Sequence, residues 1–172
     1  MNIVTRRTVL TGIGAIGAGA IAGCGSSGSS GKTSSSPSLV SPSGAEVQRK
    51  ERRRRNSGRE QKVTLTATAA KLELGAGVRP STWAFGQRTP GQPIRISAGD
   101  TLVAAVPNKL PSGTATSIHW HGVALRNDMD GVAGVTQQAV ASGETFTYRF
   151  TAPDPGTYFF HPHVGVQLDR GL

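Results

Sequence analysis

SIHWHG, residues 117–122, and FFHPHVG, residues 159–165, hold all four histidines of a 172-residue chain. Side chains alternate across a strand, so His119 and His121 point to one face while Trp120 points to the other, toward whatever core backs the strand. His161 and His163 repeat the spacing. Each pair is an imidazole comb. Histidine is the commonest metal-ligating side chain and binds as the neutral imidazole, so two combs on neighbouring strands predict a metal site. Surface strands carrying histidine for no chemical reason are the alternative, and they would scatter these residues rather than pair them twice in strand register.

The sequence around the combs reads as short β-forming runs separated by Gly and Pro. VTLTATAAKLEL (63–74) alternates at first, with Val63, Leu65 and Ala67 on one face and threonines on the other, and reads as a strand. STWAFG, the turn-rich QRTPGQP, and IRISAGDTLVAAVP follow, the last with AGD as a turn between two strands. After the first comb come the loop RNDMDGVAG, the run VTQQAVASGETFTYRFTA, the turn PDPG and the second comb. Seven or so strands without helical periodicity predict an antiparallel sandwich or Greek-key barrel over residues 63–172. Length allows one such domain.

The amino terminus is different in kind. Arg6 and Arg7 precede an apolar stretch from Val9 to Ala22, and small residues lead to Cys24, the layout of an export signal over residues 1–24. The stretch, at 14 residues, is short of the roughly 20 that a membrane-spanning helix needs. TRRTVL resembles the twin-arginine export motif, with Val9 in place of its usual Phe and Thr11 in place of its frequent Lys. IAGC resembles the lipobox of bacterial lipoproteins, which implies that Cys24 is lipidated and that the domain is anchored to the outer face of the cytoplasmic membrane. An ordinary cleaved signal with a soluble periplasmic or secreted product is the alternative. Residues 25–62, rich in Ser and Gly, predict a disordered tether. Cys24 is the only cysteine, which excludes an intrachain disulfide.

The net charge of +9 does not belong to the domain. Residues 25–62 hold nine basic and three acidic side chains, whereas residues 63–172 hold eight and seven. The run RKERRRR (49–55) has the charge to meet anionic lipid or wall polymer, although such runs in linkers are more often merely solvated. Nucleic acid is not the expected partner, because no aromatic side chains interleave with the arginines.

TWAFGQRTPGQPIRISAGDTL, SIHWHGVALRNDMDGVAGVTQ, SGETFTYRF and APDPGTYFFHPHVGVQLDRG together resemble the first cupredoxin domain of multicopper oxidases, the family that includes laccases, bilirubin oxidases and metallo-oxidases. The resemblance implies an all-β, cupredoxin-like fold and a role in a copper-dependent oxidoreductase. In that family, two histidine pairs from the first domain and two from the last enclose three copper ions, which reduce O₂ to water with electrons from a small donor such as a phenol, a pigment or a metal ion. By motif position, His119 resembles the ligand of the type 2 copper, His121 and His161 ligands of one type 3 copper, and His163 a ligand of the other. Asp130 resembles the acidic residue that helps deliver protons to oxygen. An Asx-type turn with Gly131 is its simpler role, and the two are compatible. Trp120, Tyr158, Phe159 and Phe160 are expected in the core.

Three departures stand out. The family's usual Cys near VTQQAV is absent, with Gln138 and Ala139 in its neighbourhood. A type 1 copper requires a Cys thiolate with two His, and here every histidine is already assigned and the one cysteine lies in the signal. The chain also ends at QLDRGL where the family continues into a further strand, which makes it look like a fragment or truncated frame whose carboxy-terminal cupredoxin domains lie in missing sequence or another subunit. The competing function is a non-catalytic copper-binding or storage module. A copper nitrite reductase would carry the type 1 cysteine in its first domain, a cupin would bring a lone His with Gln or Glu at another spacing, and a tetrahedral zinc site would lack an obvious catalytic base. A reading frame that continues past Leu172 to an HCHxxxH-like segment separates the oxidase from the module.

Overall fold

The computed structural model describes residues 41–172. The paired arginines, the apolar stretch, Cys24 and the first part of the expected tether lie outside the described residues. One helix, α1 (Ala45–Arg53), precedes seven strands: β1 (Glu60–Thr64), β2 (Ala67–Lys71), β3 (Ser81–Phe85), β4 (Thr101–Lys109), β5 (His119–His121), β6 (Thr145–Thr151) and β7 (Phe159–His161). Single 3₁₀ turns occupy Asn127–Met129 and Leu168–Arg170.

Strand β4 organises the main sheet. Its period of two buries Leu102, Ala104, Val106 and Asn108 and leaves Val103, Ala105 and Pro107 less covered. On one side β6 runs antiparallel to it, from Thr151 opposite Thr101 to Thr145 opposite Pro107. On the other side β1 and then β2 run parallel to it with the same offset of 41 positions, Glu60 opposite Thr101 and Ala67 opposite Asn108. They are thus one run of chain, interrupted at Leu65 and Thr66. The break falls across from Val106 and Pro107, where proline has no N–H to give to a ladder. Beyond it, β2 leaves β4 and pairs antiparallel with β3, Ala67 opposite Phe85.

These pairings correct the expected all-antiparallel arrangement and the single strand expected over 63–74. The segment at Ile94–Ser97 differs as well: it keeps the alternation, with Ile94 and Ile96 against the core, but pairs with no strand among the described residues. The tether expected over residues 25–62 holds α1 and the start of β1 within it. Low apolar content argued against order there, but a carboxylate does the ordering instead. Asp100 accepts hydrogen bonds from the Ser57 hydroxyl at 2.6 Å, the Ser97 amide at 3.0 Å and Arg59 Nε at 3.1 Å. The Ser57 amide donates to the Gly99 carbonyl at 2.8 Å. The Ser57 bond first, then the Ser97 amide and Arg59, hold Asp100 below the usual carboxylate range.

The core joins Leu65, Leu102, Ala104, Val106, Leu110 and Ile118 to Trp120, Tyr148 and Phe150. Buried Asn108 closes the end of β4: its Nδ2 donates to the Thr114 and Val140 carbonyls, both at 2.8 Å, and its Oδ1 accepts from the Leu110 amide at 3.0 Å. Such a polar group is tolerated in a core because its bonding capacity is met.

The chain entering β5 is held on every side. Thr116 exchanges backbone bonds of 2.9 and 2.7 Å with Val140, and its hydroxyl donates to Gln167 Oε1 at 2.8 Å. Gln167 Nε2 donates in turn to the Ala115 carbonyl. The Ile118 amide donates to the Tyr148 hydroxyl at 2.9 Å, and burial pushes the Tyr148 phenol up, so the acceptor stays neutral. Against the carbonyl of the same residue lies Gly131, at φ +83°, where a Cβ would fall 1.6 Å from the Ile118 oxygen.

Gly131→Ala therefore requires the backbone to move, since the neighbour is main chain and the φ is one that L side chains rarely adopt. Summing steric overlap and left-handed strain, the substitution is expected to destabilise the domain by roughly 2–5 kcal/mol, as measured by chemical denaturation. A change within about 0.5 kcal/mol would contradict the close approach.

Candidate metal centre

Strands β5 and β7 make their own two-stranded antiparallel ladder, with His119 opposite His161, Trp120 opposite Phe160 and His121 opposite Phe159. Alternation then sorts the side chains by face. Trp120, 5% exposed, turns inward, where its ring meets those of Tyr148 at 5.6 Å, Phe150 at 5.1 Å and Phe160 at 5.8 Å. Aromatic pairs of this kind add about 0.5–1.5 kcal/mol beyond their area burial. They form a stiff floor beneath the histidines.

On the opposite face stand His119, His121 and His161, each offering a ring nitrogen, and these atoms all lie within 4.8 Å of one another. The tightest pair is His121 Nδ1 and His161 Nε2, at 3.1 Å. Two ligands of one ion, each bonded at about 2.0–2.1 Å, satisfy that separation. The ring of His163 lies 4.7 Å from that of His119 and 4.8 Å from that of His161, centre to centre. The structure thus brings all four histidines of the two combs together. An all-imidazole donor set suits the transition metals that favour nitrogen, copper and zinc among them, and is a poor fit for calcium or magnesium.

The bonds behind the imidazoles aim them. His119 Nδ1–H donates to the Asp130 carbonyl at 2.8 Å, which leaves its Nε2 lone pair for a metal. His161 Nδ1–H donates to the Pro162 carbonyl at 3.1 Å with the same result. Burial, followed by the repulsion of the neighbouring imidazoles of His163, His119 and His121, outweighs the Pro162 bond and holds His161 below the ordinary histidine range. It is therefore the neutral, ligating form at neutral pH.

Asp130 lies beside His119 and engages it first through its backbone. Its carboxylate Oδ1 is 3.4 Å from His119 Nδ1, longer than the carbonyl contact. Asp130 is the C-cap of the 3₁₀ turn at Asn127–Met129, with its amide donating to the Asn127 carbonyl. Gly131 follows it and sets where this carbonyl points.

Two aromatic residues expected in the core are not there. Phe159 is 58% exposed and Tyr158 43%. Phe159 shares the imidazole face, stacked on His121 at 4.3 Å and 20°. Its place as the register partner of His121 follows from β7 alternation, in which Phe159 and His161 share a face. Tyr148, Gly131 and Gln167 also support the site from sequence-distant positions. Their roles depend on pairings that no local pattern announces.

The multicopper oxidase family model matches residues 66–172. The chain is 46% identical over 141 residues to "Multicopper oxidase MmcO" of Mycobacterium tuberculosis, covering 81% of this chain and 27% of that one. It is 49% identical over 85 residues to an L-ascorbate oxidase of Brassica rapa, covering 48% of this chain and 15% of the relative. Among solved structures it resembles a multi-copper oxidase from Pseudomonas thermotolerans, with a TM-score of 0.61 and 39% identity over 66% of this chain and 28% of that one. The chain thus spans about a quarter or less of the two relatives' length. With the match running through both combs and the strands that carry them, the chain belongs to the multicopper oxidase family, whose cofactor is copper.

Proposed function

We propose that residues 63–172 are the amino-terminal cupredoxin domain of a copper oxidase and supply half of a trinuclear copper cluster that reduces O₂ to water. The observation that carries this reading is the convergence of the two combs through the His119–His161 pairing. His121 and His161 hold one type 3 copper, through the ring nitrogens that face each other at 3.1 Å. His119, aimed by the Asp130 carbonyl, holds the type 2 copper, and His163 binds the other type 3 ion. Copper bound there supplies the one-electron steps by which four electrons and four protons convert O₂ to two water molecules. The protein's own part is to orient the imidazoles and to bring in protons. Asp130 suits the latter, since its half-buried carboxylate lies between solvent and His119.

The electrons come from a small reducing substrate, of phenol, pigment or metal-ion type. Its site, the type 1 copper and the remaining ligands belong to further cupredoxin domains of the same protein or of another subunit. We further propose export through the signal over residues 1–24, lipid attachment at Cys24, and a tether leading to the domain. The layout of charged, apolar and small residues supports this part of the reading.

Copper titration of the chain, followed by absorption and electron paramagnetic resonance, is expected to give a type 2 signal without an intense blue band, because that band needs a Cu–thiolate bond. An intense blue band would overturn the ligand assignment. In the complete oxidase, His121→Ala is expected to abolish oxygen consumption and leave the blue type 1 colour intact. Oxygen consumption at the unaltered rate would eliminate His121 as a ligand. For the anchor, labelled fatty acid supplied to expressing bacteria is expected to appear on the chain and to be lost in Cys24→Ser. Equal labelling of both would remove Cys24 from that role.

A further inference from the structure

We propose that the basic face of α1 is a docking platform for an anionic phospholipid surface. Six of the seven residues from Arg49 to Arg55 are cationic. Two of them are engaged within the helix region: Arg54 pairs with Glu51 at 2.7 Å, and Arg49 lies 3.8 Å from Glu46. Lys50, Arg52, Arg53 and Arg55 are exposed and have no ionic partner among the described residues. Arg49, Lys50, Arg53 and Arg54 also face Leu125 and Arg126 across a cleft of about 550 Å³.

A charge run on a floating linker is solvated and averages over many directions. This one is not floating. The Asp100 clasp, through Ser57 and Arg59, fixes the chain only two residues beyond Arg55, so the cations hold a set place on the domain. α1 buries no residue and has no apolar face to insert, which makes the expected contact one of charge against headgroups. No aromatic side chain lies in the run to stack on a nucleobase. The choice of a membrane rests on the proposed anchor at Cys24. Cys24 and Ala45 are 21 positions apart, a chain length that reaches at most roughly 75 Å and so keeps α1 within that distance of the bilayer holding the anchor.

The test uses the full chain with Cys24→Ser, so that lipid attachment plays no part. Its sedimentation with vesicles of phosphatidylcholine alone is compared with vesicles also carrying phosphatidylglycerol. The readout is the ratio of the two affinities, in which any contribution of the apolar Val9–Ala22 stretch cancels. Each cation near an anionic surface contributes about fivefold. A second chain adds Lys50→Gln, Arg52→Gln and Arg53→Gln on the exposed helix and Arg55→Gln just beyond it, changes that exposed positions accept. The ratio is expected to fall by about a hundredfold or more in this variant, and to fall in the parent as salt is raised. An unchanged ratio in the variant would overturn the proposal. So would a parent chain that shows no preference for anionic vesicles, including one that is nevertheless retained on immobilised inorganic polyphosphate. Failure of the anchor alone would show only in the fatty-acid labelling of Cys24, since the vesicle ratio is measured without it.

Discussion

The peptide unit on either side of Ile118 is the constraint on which the metal centre depends. Its amide is bonded to a buried tyrosine hydroxyl, and its carbonyl is pressed so closely by Gly131 that no side chain fits between them. A strand shifted by one residue would exchange its two faces, sending His119 and His121 into the core and Trp120 to the surface. Holding Ile118 from both directions removes that freedom at the residue immediately before the first histidine. The loop that brings Gly131 to the carbonyl also brings the Asp130 carbonyl to His119 Nδ1, so strand register and imidazole orientation share one cause.

The parts of this structure legible in the sequence are those written in short-range patterns. Histidines two apart, with Trp120 between them, state which side chains share a face before any pairing is known, and the two combs do meet. The turn at Asp130 is legible because Asp-Gly marks one, whereas its nearness to His119 is not written in local pattern. What the sequence does not display is what depends on partners far along the chain. Nothing in VTLTATAA indicates that a proline more than 40 positions later breaks the ladder into β1 and β2. Composition likewise describes residues 45–59 as too polar to order, since it does not register that Asp100 accepts their hydrogen bonds. Phe159 misleads for a related reason: hydrophobicity points inward, while strand alternation, once β7 pairs with β5, points outward onto His121.

Exposure across the site follows a consistent gradient. His119 and His161, opposite each other in the ladder, are half-buried, whereas His121 and His163 are exposed. Behind them the aromatic floor of Trp120, Phe150 and Phe160 leaves the rings nowhere to retreat. Side chains so placed approach a metal from one side only. Support at Nδ1 of His119 and His161 fixes direction without covering the outer hemisphere.

That one-sidedness bears on the proposed division of the cluster between domains. A sheet presents one face to a ligand, and residues on that face stand nearly parallel. Two neighbouring strands can therefore bring nitrogens close together, as His121 and His161 do at 3.1 Å, but they cannot surround an ion. A second sheet facing the first would, on the proposed reading, supply the other hemisphere. On the proposed reading, the exposed imidazoles of His121 and His163 are the surface that such a sheet would close over. The stacking of Phe159 on His121 then holds one ligand in position before the second half of the cage arrives, which lowers the conformational entropy lost when the metal is fully enclosed.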